Sequence, residues 1–269
     1  MKMLSLFKIC LCFVVLSALL VKAEDPSSLH QPTSSSDQLN LTPYFLDIAS
    51  LEITKVLPPL PGAELSEKNS DTPKQCLTPE EDLFLQECAM ATATQADKDY
   101  AMSIIEDSVF DYSDVLGSNF TAENFPVTKV FFDKIRNDVI IACTTAKNIF
   151  QGPRPPSWTK MTPHDQDVGY TYPSGHSTRA FLCAALLSQF FQSYKEPLLE
   201  QAKRAAWSRV IIGRHYPSEV YAGKIYADYL LSQFLENKDF QKEWAAVQEE
   251  WREKSFFLPQ VNCGSNVIL

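Results

Sequence analysis

The chain has 269 residues, 45% of them hydrophobic, which is typical of a globular protein with a sizeable buried core. This length permits one large domain or two small ones. Its 33 acidic residues outnumber its 24 Lys and Arg residues, and the formal net charge is −9 at pH 7. Because neutralisation of phosphates dominates the affinity for nucleic acid, this balance argues against a general nucleic-acid-binding protein.

Residues 1–23 are predicted to be a cleaved export signal. Lys2 and Lys8 give a positive start, residues 9–21 are apolar, and Val-Lys-Ala at 21–23 is typical of a cleavage site. The alternative is an uncleaved membrane anchor, but the apolar stretch is short for a span and no stop-transfer pattern follows. Cleavage would lower the net charge to about −12, because three lysines leave with the segment. We therefore expect a periplasmic or secreted protein with no integral membrane insertion after cleavage.

The five cysteines that remain after cleavage are Cys76, Cys88, Cys143, Cys183 and Cys263. An odd number leaves at least one thiol free or paired between chains, and the disulfide pairing stays open. The cysteines lack metal-ligand spacing such as C-x-x-C, so they do not indicate a metal site. No metal or cofactor is predicted. Cys143 and Cys183 lie within apolar helical patterns and are expected to be buried.

Residues 24–75 are predicted to form a flexible leader and then an extended, proline-rich arm. The segment is rich in Pro, Ser and Thr, and residues 58–62 have the sequence Pro-Pro-Leu-Pro-Gly. Apolar side chains between positions 44 and 57 could pack onto a core. We assign residues 76–269 to one helical domain.

From Pro79 onward the sequence predicts helices. Thr78 is the expected N-cap and Pro79 the first helical residue. The clearest helix is 126–150, because its apolar residues recur at spacings of three and four, whereas no stretch alternates like a half-buried strand. The predicted fold is all-α, a compact single-domain helical bundle. The predicted helices cover residues 79–97, 98–116, 126–150, 178–194, 196–213, 217–236 and 239–254.

The first polar cluster joins Lys147, at the end of a helix, to Arg154. Gly152 and Pro153 break the helix, and prolines on both sides of Arg154 stiffen the chain. An arginine whose backbone is held rigid loses less conformational entropy when its planar guanidinium group binds an oxyanion. The alternative is a helix end with cations against its dipole, followed by a surface loop.

The second cluster, Pro173-Ser174-Gly175-His176, precedes a helix predicted to begin near Thr178. Free N–H groups at a helix start bind phosphate-like anions. Gly175 would allow close approach of the backbone, the Ser174 hydroxyl could donate, and His176 could protonate a leaving oxygen. The alternative is an ordinary turn with a capping serine.

The third cluster places Arg209 in an apolar helix and His215 just before Pro217, which suits the first turn of the next helix. From that turn the Glu219 carboxylate could reach back to His215. A carboxylate on one imidazole nitrogen fixes the tautomer and makes the other nitrogen more nucleophilic. The alternative is that Glu219 only complements the helix dipole. Arg214 is expected to be structural.

Together the clusters form a pattern of three parts. In the first, six residues separate Lys147 from Arg154-Pro155; the second is Pro173-Ser174-Gly175-His176; in the third, five residues separate Ser208-Arg209 from His215. This pattern resembles the signature of the type 2 phosphatidic acid phosphatase superfamily. That family includes lipid phosphatases, glucose-6-phosphatase, vanadium haloperoxidases and bacterial class A non-specific acid phosphatases. The likeness to class A enzymes extends to the signal segment, the length and residues 56–61. It implies the all-α fold of the acid phosphatase and vanadium haloperoxidase type.

The resemblance implies metal-independent hydrolysis of small phosphomonoesters, with vanadate as an inhibitor. His215 would be the nucleophile that forms a phosphohistidine, and His176 the general acid. Because an imidazolium acid must be protonated, the optimum would lie below neutral pH. The phosphate-binding residues would be Lys147, Arg154, Ser174, Gly175 and Arg209.

One position departs from the class A pattern, which has aspartate where this chain has Glu219. We expect the longer side chain to keep the contact with His215.

His30 lies in the leader. The loop containing Lys160, His164, Asp165 and Asp167 is expected to rim the pocket, with His164 an ordinary loop residue.

Three other functions stay open at the level of sequence: a vanadate-dependent haloperoxidase, a soluble lipid phosphatase and a non-catalytic phosphate-binding homologue. The signature concerns only the phosphoryl group, so it leaves the physiological substrate undetermined. Whether the chain forms a homo-oligomer is also open.

Overall fold

The computed structural model describes residues 42–63, 77–104, 107–157 and 169–258, and this part of the chain is built from helices without a β-strand. The all-α prediction is therefore confirmed for these ranges. Several predicted features lie outside the described residues, so the domain boundaries stay a prediction. These features are the signal segment 1–23, His30, Cys76, Cys263 and the loop residues Lys160, His164, Asp165 and Asp167.

The α-helices of the described ranges are α1 (Ile53–Val56), α2 (Pro79–Thr92), α3 (Gln95–Ser103), α4 (Ser113–Leu116), α5 (Pro126–Phe150), α6 (Gly175–Phe190), α7 (Lys195–Ile211), α8 (Pro217–Glu236) and α9 (Lys238–Glu253). Short 3-10 turns occupy Ile48–Ser50, Val109–Tyr112, Gln192–Tyr194 and Ser255–Phe257. Helix α6 is central, because it packs against α5, α7 and α8. In these ranges we find no helix with the length and apolar character needed to cross a membrane.

Helices α5 and α8 have the predicted bounds, and α2 starts at Pro79 with Thr78 as its N-cap, as predicted. The division predicted between 79–97 and 98–116 is wrong. The chain leaves the helix at Ala93, and Thr94 caps the start of α3. In this capping box the Thr94 hydroxyl accepts from the Asp97 amide, and the Asp97 carboxylate accepts from the Thr94 amide. The start predicted near Thr178 is also wrong, since α6 begins three residues earlier at Gly175.

The core is rich in aromatic rings where α5, α8 and α9 meet. Phe131 of α5 stacks on Trp244 of α9 at 5.5 Å between ring centroids, and Phe234 of α8 lies 5.2 Å from Phe240. Such pairs add attraction beyond the burial of apolar area. Cys143 is buried as predicted. Of the other cysteines in the described ranges, Cys183 is partly buried and Cys88 exposed, and all three thiols are free.

The described part of the arm packs onto the helices through a buried carboxylate. Asp138 of α5 accepts from the backbone amides of Tyr44 and Phe45 at 2.7 Å each and of Leu46 at 3.0 Å. Asp138 is 0% exposed, and Phe45 and Leu46 are buried beside it. Farther along, the Pro58 carbonyl accepts from the Tyr172 hydroxyl at 2.5 Å. The arm is thus held next to the segment that precedes α6.

We expect the Asp138→Asn variant to lose about 2–4 kcal/mol of unfolding free energy, because an amide cannot accept all three amides and brings its own donors to a buried site. Urea denaturation followed by circular dichroism measures this loss. The matched control is Asp228→Asn, since Asp228 is exposed and pairs with Lys224 of the same helix at 2.7 Å. Equal losses in the two variants would contradict the anchoring role.

Candidate active site

Segments from three parts of the chain meet at the amino-terminal ends of α6 and α8. The Thr171 amide donates to the Gly152 carbonyl at 3.0 Å, and the Ser174 amide donates to the Glu219 carbonyl at 3.1 Å. These bonds tie the segment before α6 to the chain that follows α5 and to the first turn of α8. A Cβ at Gly223 would lie 2.7 Å from the Ser174 carbonyl oxygen, so the close approach of α8 to α6 requires glycine there.

His215 and Glu219 form a buried pair. His215 lies between α7 and α8, and Glu219 lies in the first turn of α8. The Nδ1 atom of His215 is 2.6 Å from Oε2 of Glu219, and the two residues are 3% and 2% exposed. The contact expected between this glutamate and the imidazole is therefore present in the fold.

Hydrogen-bond donors converge on Oε2 of Glu219. Besides the imidazole, the Thr171 hydroxyl donates at 2.7 Å and the Tyr216 amide at 3.2 Å. The Thr171 oxygen is also 2.9 Å from Nδ1 of His215, so it can accept from the ring while it donates to the carboxylate. An ionised carboxylate satisfies all of these donors. Burial raises the pKa of Glu219, and the hydrogen bonds from Thr171 and the Tyr216 amide act in the opposite direction.

From this pattern we assign the ring proton of His215 to Nδ1, which leaves the lone pair of Nε2 free. Burial, and then the nearby basic groups, hold the pKa of His215 well below its usual range. The imidazole is therefore neutral at neutral pH, as a nucleophile must be. The basic groups that act on it are Arg154, Lys147, His176 and Arg214.

Lys147 and Arg154 flank the turn that ends α5. Lys147 lies in the last turn of the helix, and Gln151 closes it with a left-handed backbone at φ 52°, its amide donating to the Lys147 carbonyl at 2.9 Å. Arg154 Nε donates to the Gly169 carbonyl at 3.2 Å, and its Nη1 donates to the Arg214 carbonyl at 3.3 Å. These hydrogen bonds fix the Arg154 guanidinium near His215, on which its charge acts.

Arg209 is 0% exposed near the end of α7. Its Nη2 donates to the Ala101 carbonyl of α3, and its Nε donates to the Ser208 hydroxyl at 3.1 Å. Its Nη1 is buried and has no hydrogen-bond partner among the described residues. Burial lowers the pKa of Arg209 to about 10, so the side chain is still a cation at neutral pH. The fold therefore holds Arg209 by two nitrogens and leaves a third able to bind an anion.

The second cluster of the sequence forms the start of α6. Ser174 is the N-cap, and its hydroxyl accepts from the Ser177 amide at 3.4 Å while keeping its own O–H to donate. Gly175 is the first helical residue and is buried, and His176 is the second and partly exposed. Because the first turn of a helix has N–H groups without intrahelical partners, this start is suited to an anion.

Asp107 and Arg179 contact His176, although the sequence analysis singled out neither. Asp107 Oδ2 is 3.5 Å from His176 Nε2 and accepts from Arg179 Nε at 2.6 Å, while Arg179 Nη2 is 3.4 Å from His176 Nδ1. The spacing of three residues between His176 and Arg179 on a helix could have indicated their contact. No local signal connects Asp107 or Thr171 to the site. Arg214, expected to be structural, also carries a charge that acts on His215.

The chain is similar in sequence to proteins named acid phosphatases. Residues 135–234 match the model of the PAP2 superfamily. The chain is 26% identical over 147 residues to a non-specific acid phosphatase of Providencia stuartii, a match covering 52% of this chain and 59% of the relative. A non-specific acid phosphatase of Salmonella typhi is 28% identical over 154 residues, covering 55% of this chain and 62% of the relative. The chain thus spans less than two thirds of the length of these relatives.

Proposed function

We propose that this chain, in which residues 135–234 match the model of the PAP2 superfamily, is a phosphatase that hydrolyses small phosphate monoesters through a phosphohistidine. The observation that carries the proposal is the neutral imidazole of His215, with Glu219 at 2.6 Å on one nitrogen and basic groups around it. A free Nε2 next to several cations favours attack on an anionic phosphoryl group.

In the first step Nε2 of His215 attacks phosphorus, and the bond between phosphorus and the ester oxygen breaks. His176 gives its proton to the leaving oxygen, so an alcohol departs and a phosphohistidine remains. The imidazole becomes positively charged as the new bond forms, and the Glu219 carboxylate stabilises that charge through Nδ1.

In the second step a water molecule attacks the phosphohistidine and the bond between phosphorus and nitrogen breaks. His176, now neutral, takes a proton from the water, and inorganic phosphate leaves. The enzyme returns to its starting protonation state. Splitting the reaction in this way replaces one difficult displacement by two easier ones.

The phosphoryl oxygens would be bound by the cations and donors near the imidazole. Phosphoryl transfer depends mostly on positioning and charge stabilisation, which fixed cations supply. Arg154 is fixed by its hydrogen bonds to carbonyls, and Arg209 has a buried nitrogen without a partner among the described residues. The phosphate-binding groups of the proposal are Lys147, Arg154, Arg209, the Ser174 hydroxyl and the backbone at Gly175.

The proposal keeps export, vanadate inhibition and independence of metal ions as predicted from the sequence. Release of phosphate from p-nitrophenyl phosphate by the purified chain, measured between about pH 5 and pH 7, tests the activity. We expect turnover that is greater on the acid side and is inhibited by vanadate. Absence of hydrolysis throughout this range would contradict the proposed function.

A further inference from the structure

A cavity of about 260 Å³ lies beside the candidate active site, between the Val109–Tyr112 turn, α5 and α6. One part of its wall is apolar and includes Val109, Phe110 and Phe132. A water molecule occupies about 30 Å³ of liquid, so the cavity has room for roughly nine non-hydrogen atoms. This is the size of a small substituted aromatic ring.

The cavity and the candidate general acid share two neighbours. Asp107 and Arg179 line the cavity, and the same two side chains contact His176 at 3.5 and 3.4 Å. A general acid must stand next to the oxygen that it protonates, so the leaving group of a substrate lies on the side of His176. The cavity is therefore placed to receive that leaving group.

The residues that line the cavity include more cationic side chains than anionic ones. Asp107 is bound by Arg179 at 2.6 Å, and Asp133 is bound by Lys129 at 2.6 Å. Arg136 also lines the cavity, and its buried Nε has no hydrogen-bond partner among the described residues, although the charge of its guanidinium acts on Asp107. Because a buried donor without a partner is costly, an anionic ligand group would be favoured at Arg136.

We propose that this cavity binds the leaving group of the substrate and selects phosphomonoesters whose leaving group joins a small aromatic body to a second anion, such as a carboxylate. The ring would pack against Phe110 and Phe132, and the anion would accept from Arg136. This specificity rests on the proposed phosphatase function.

The test compares phenyl phosphate with 4-carboxyphenyl phosphate. We expect kcat/KM of the wild-type chain to be about tenfold higher for the carboxylated ester, as one charge-assisted hydrogen bond allows. Arg136→Gln should remove this preference while leaving phenyl phosphate hydrolysis unchanged, and Arg136→Lys should restore part of it. Arg252→Gln is the matched control, because Arg252 is exposed on α9 and outside the cavity.

The outcomes separate the two proposals. If the wild-type chain hydrolyses neither ester, the proposed function fails. If it hydrolyses both and shows no preference, or if Arg136→Gln keeps the preference or slows both esters equally, the specificity proposal is overturned. A measurement on the wild-type chain alone covers the case in which Arg136→Gln misfolds. The inhibition constants of phenylphosphonate and 4-carboxyphenylphosphonate should show the same preference for the carboxylated compound. Equal constants would also overturn the specificity proposal.

Discussion

Replacing His215 by alanine is expected to lower kcat for p-nitrophenyl phosphate by about 10⁴-fold or more, because the variant lacks the atom that would bond to phosphorus. The Thr171 hydroxyl and the Glu219 carboxylate lie 2.9 and 2.6 Å from Nδ1, on the side of the ring away from Nε2, so neither is placed to replace it. Removal of a nucleophile acts on the chemical step, so the loss should be in kcat rather than in binding. Steady-state phosphate release measures it.

A second measurement distinguishes loss of the nucleophile from loss of the fold. Wild-type chain mixed with labelled substrate and quenched in alkali should retain label as a phosphohistidine, and His215→Ala should retain none. Circular dichroism of the variant should be unchanged, and His30→Ala serves as the histidine control. A folded His215→Ala chain that still turned over substrate would rule out the proposed mechanism and leave the fold assignment untouched.

The helices predicted best are those whose starts are encoded locally. Pro126 and Pro217 each occupy the first helical position, where the missing N–H costs nothing, and both helices have their predicted bounds. The error between residues 79 and 116 came from treating Thr94 as an ordinary helical residue, although Thr94 and Asp97 have the spacing of a capping box. The sequence therefore carries a local signal for a break before Thr94.

The contacts within the site could be predicted only between residues that lie close together in the sequence. His215 and Glu219 are four residues apart at a helix start, so their contact followed from the pattern. Thr171 reaches the same carboxylate from another segment, and Asp107 reaches His176 across the fold. Contacts of this kind depend on how α6 packs against its neighbours, which periodicity does not encode. The cavity beside Arg136 is a product of the same packing.

Glu219→Gln is expected to lower kcat by about 10²- to 10⁴-fold with little change in KM, because the carboxylate orients the nucleophile and stabilises its developing charge. The glutamine oxygen, placed where Oε2 lies, can still accept from Nδ1 of His215, the Thr171 hydroxyl and the Tyr216 amide, so the variant chiefly removes the negative charge. The pKa of His215 already lies well below its usual range, so the ring stays neutral in the variant. The loss therefore reflects the missing negative charge rather than protonation of the nucleophile.

Glu219→Asp separates the contribution of charge from that of length. The first turn of α8 is held by the bond between the Ser174 amide and the Glu219 carbonyl at 3.1 Å, so the shorter carboxylate cannot move freely towards the ring. Aspartate keeps the negative charge and the acceptor oxygens, and Thr171 can still bridge to Nδ1, so we expect a kcat between those of the wild type and Glu219→Gln. Single-turnover measurements with p-nitrophenyl phosphate would report the chemical step directly. If Glu219→Gln matched the wild type in this step, Glu219 would be a helix-start acid and the support of His215 would have to come from Thr171 alone.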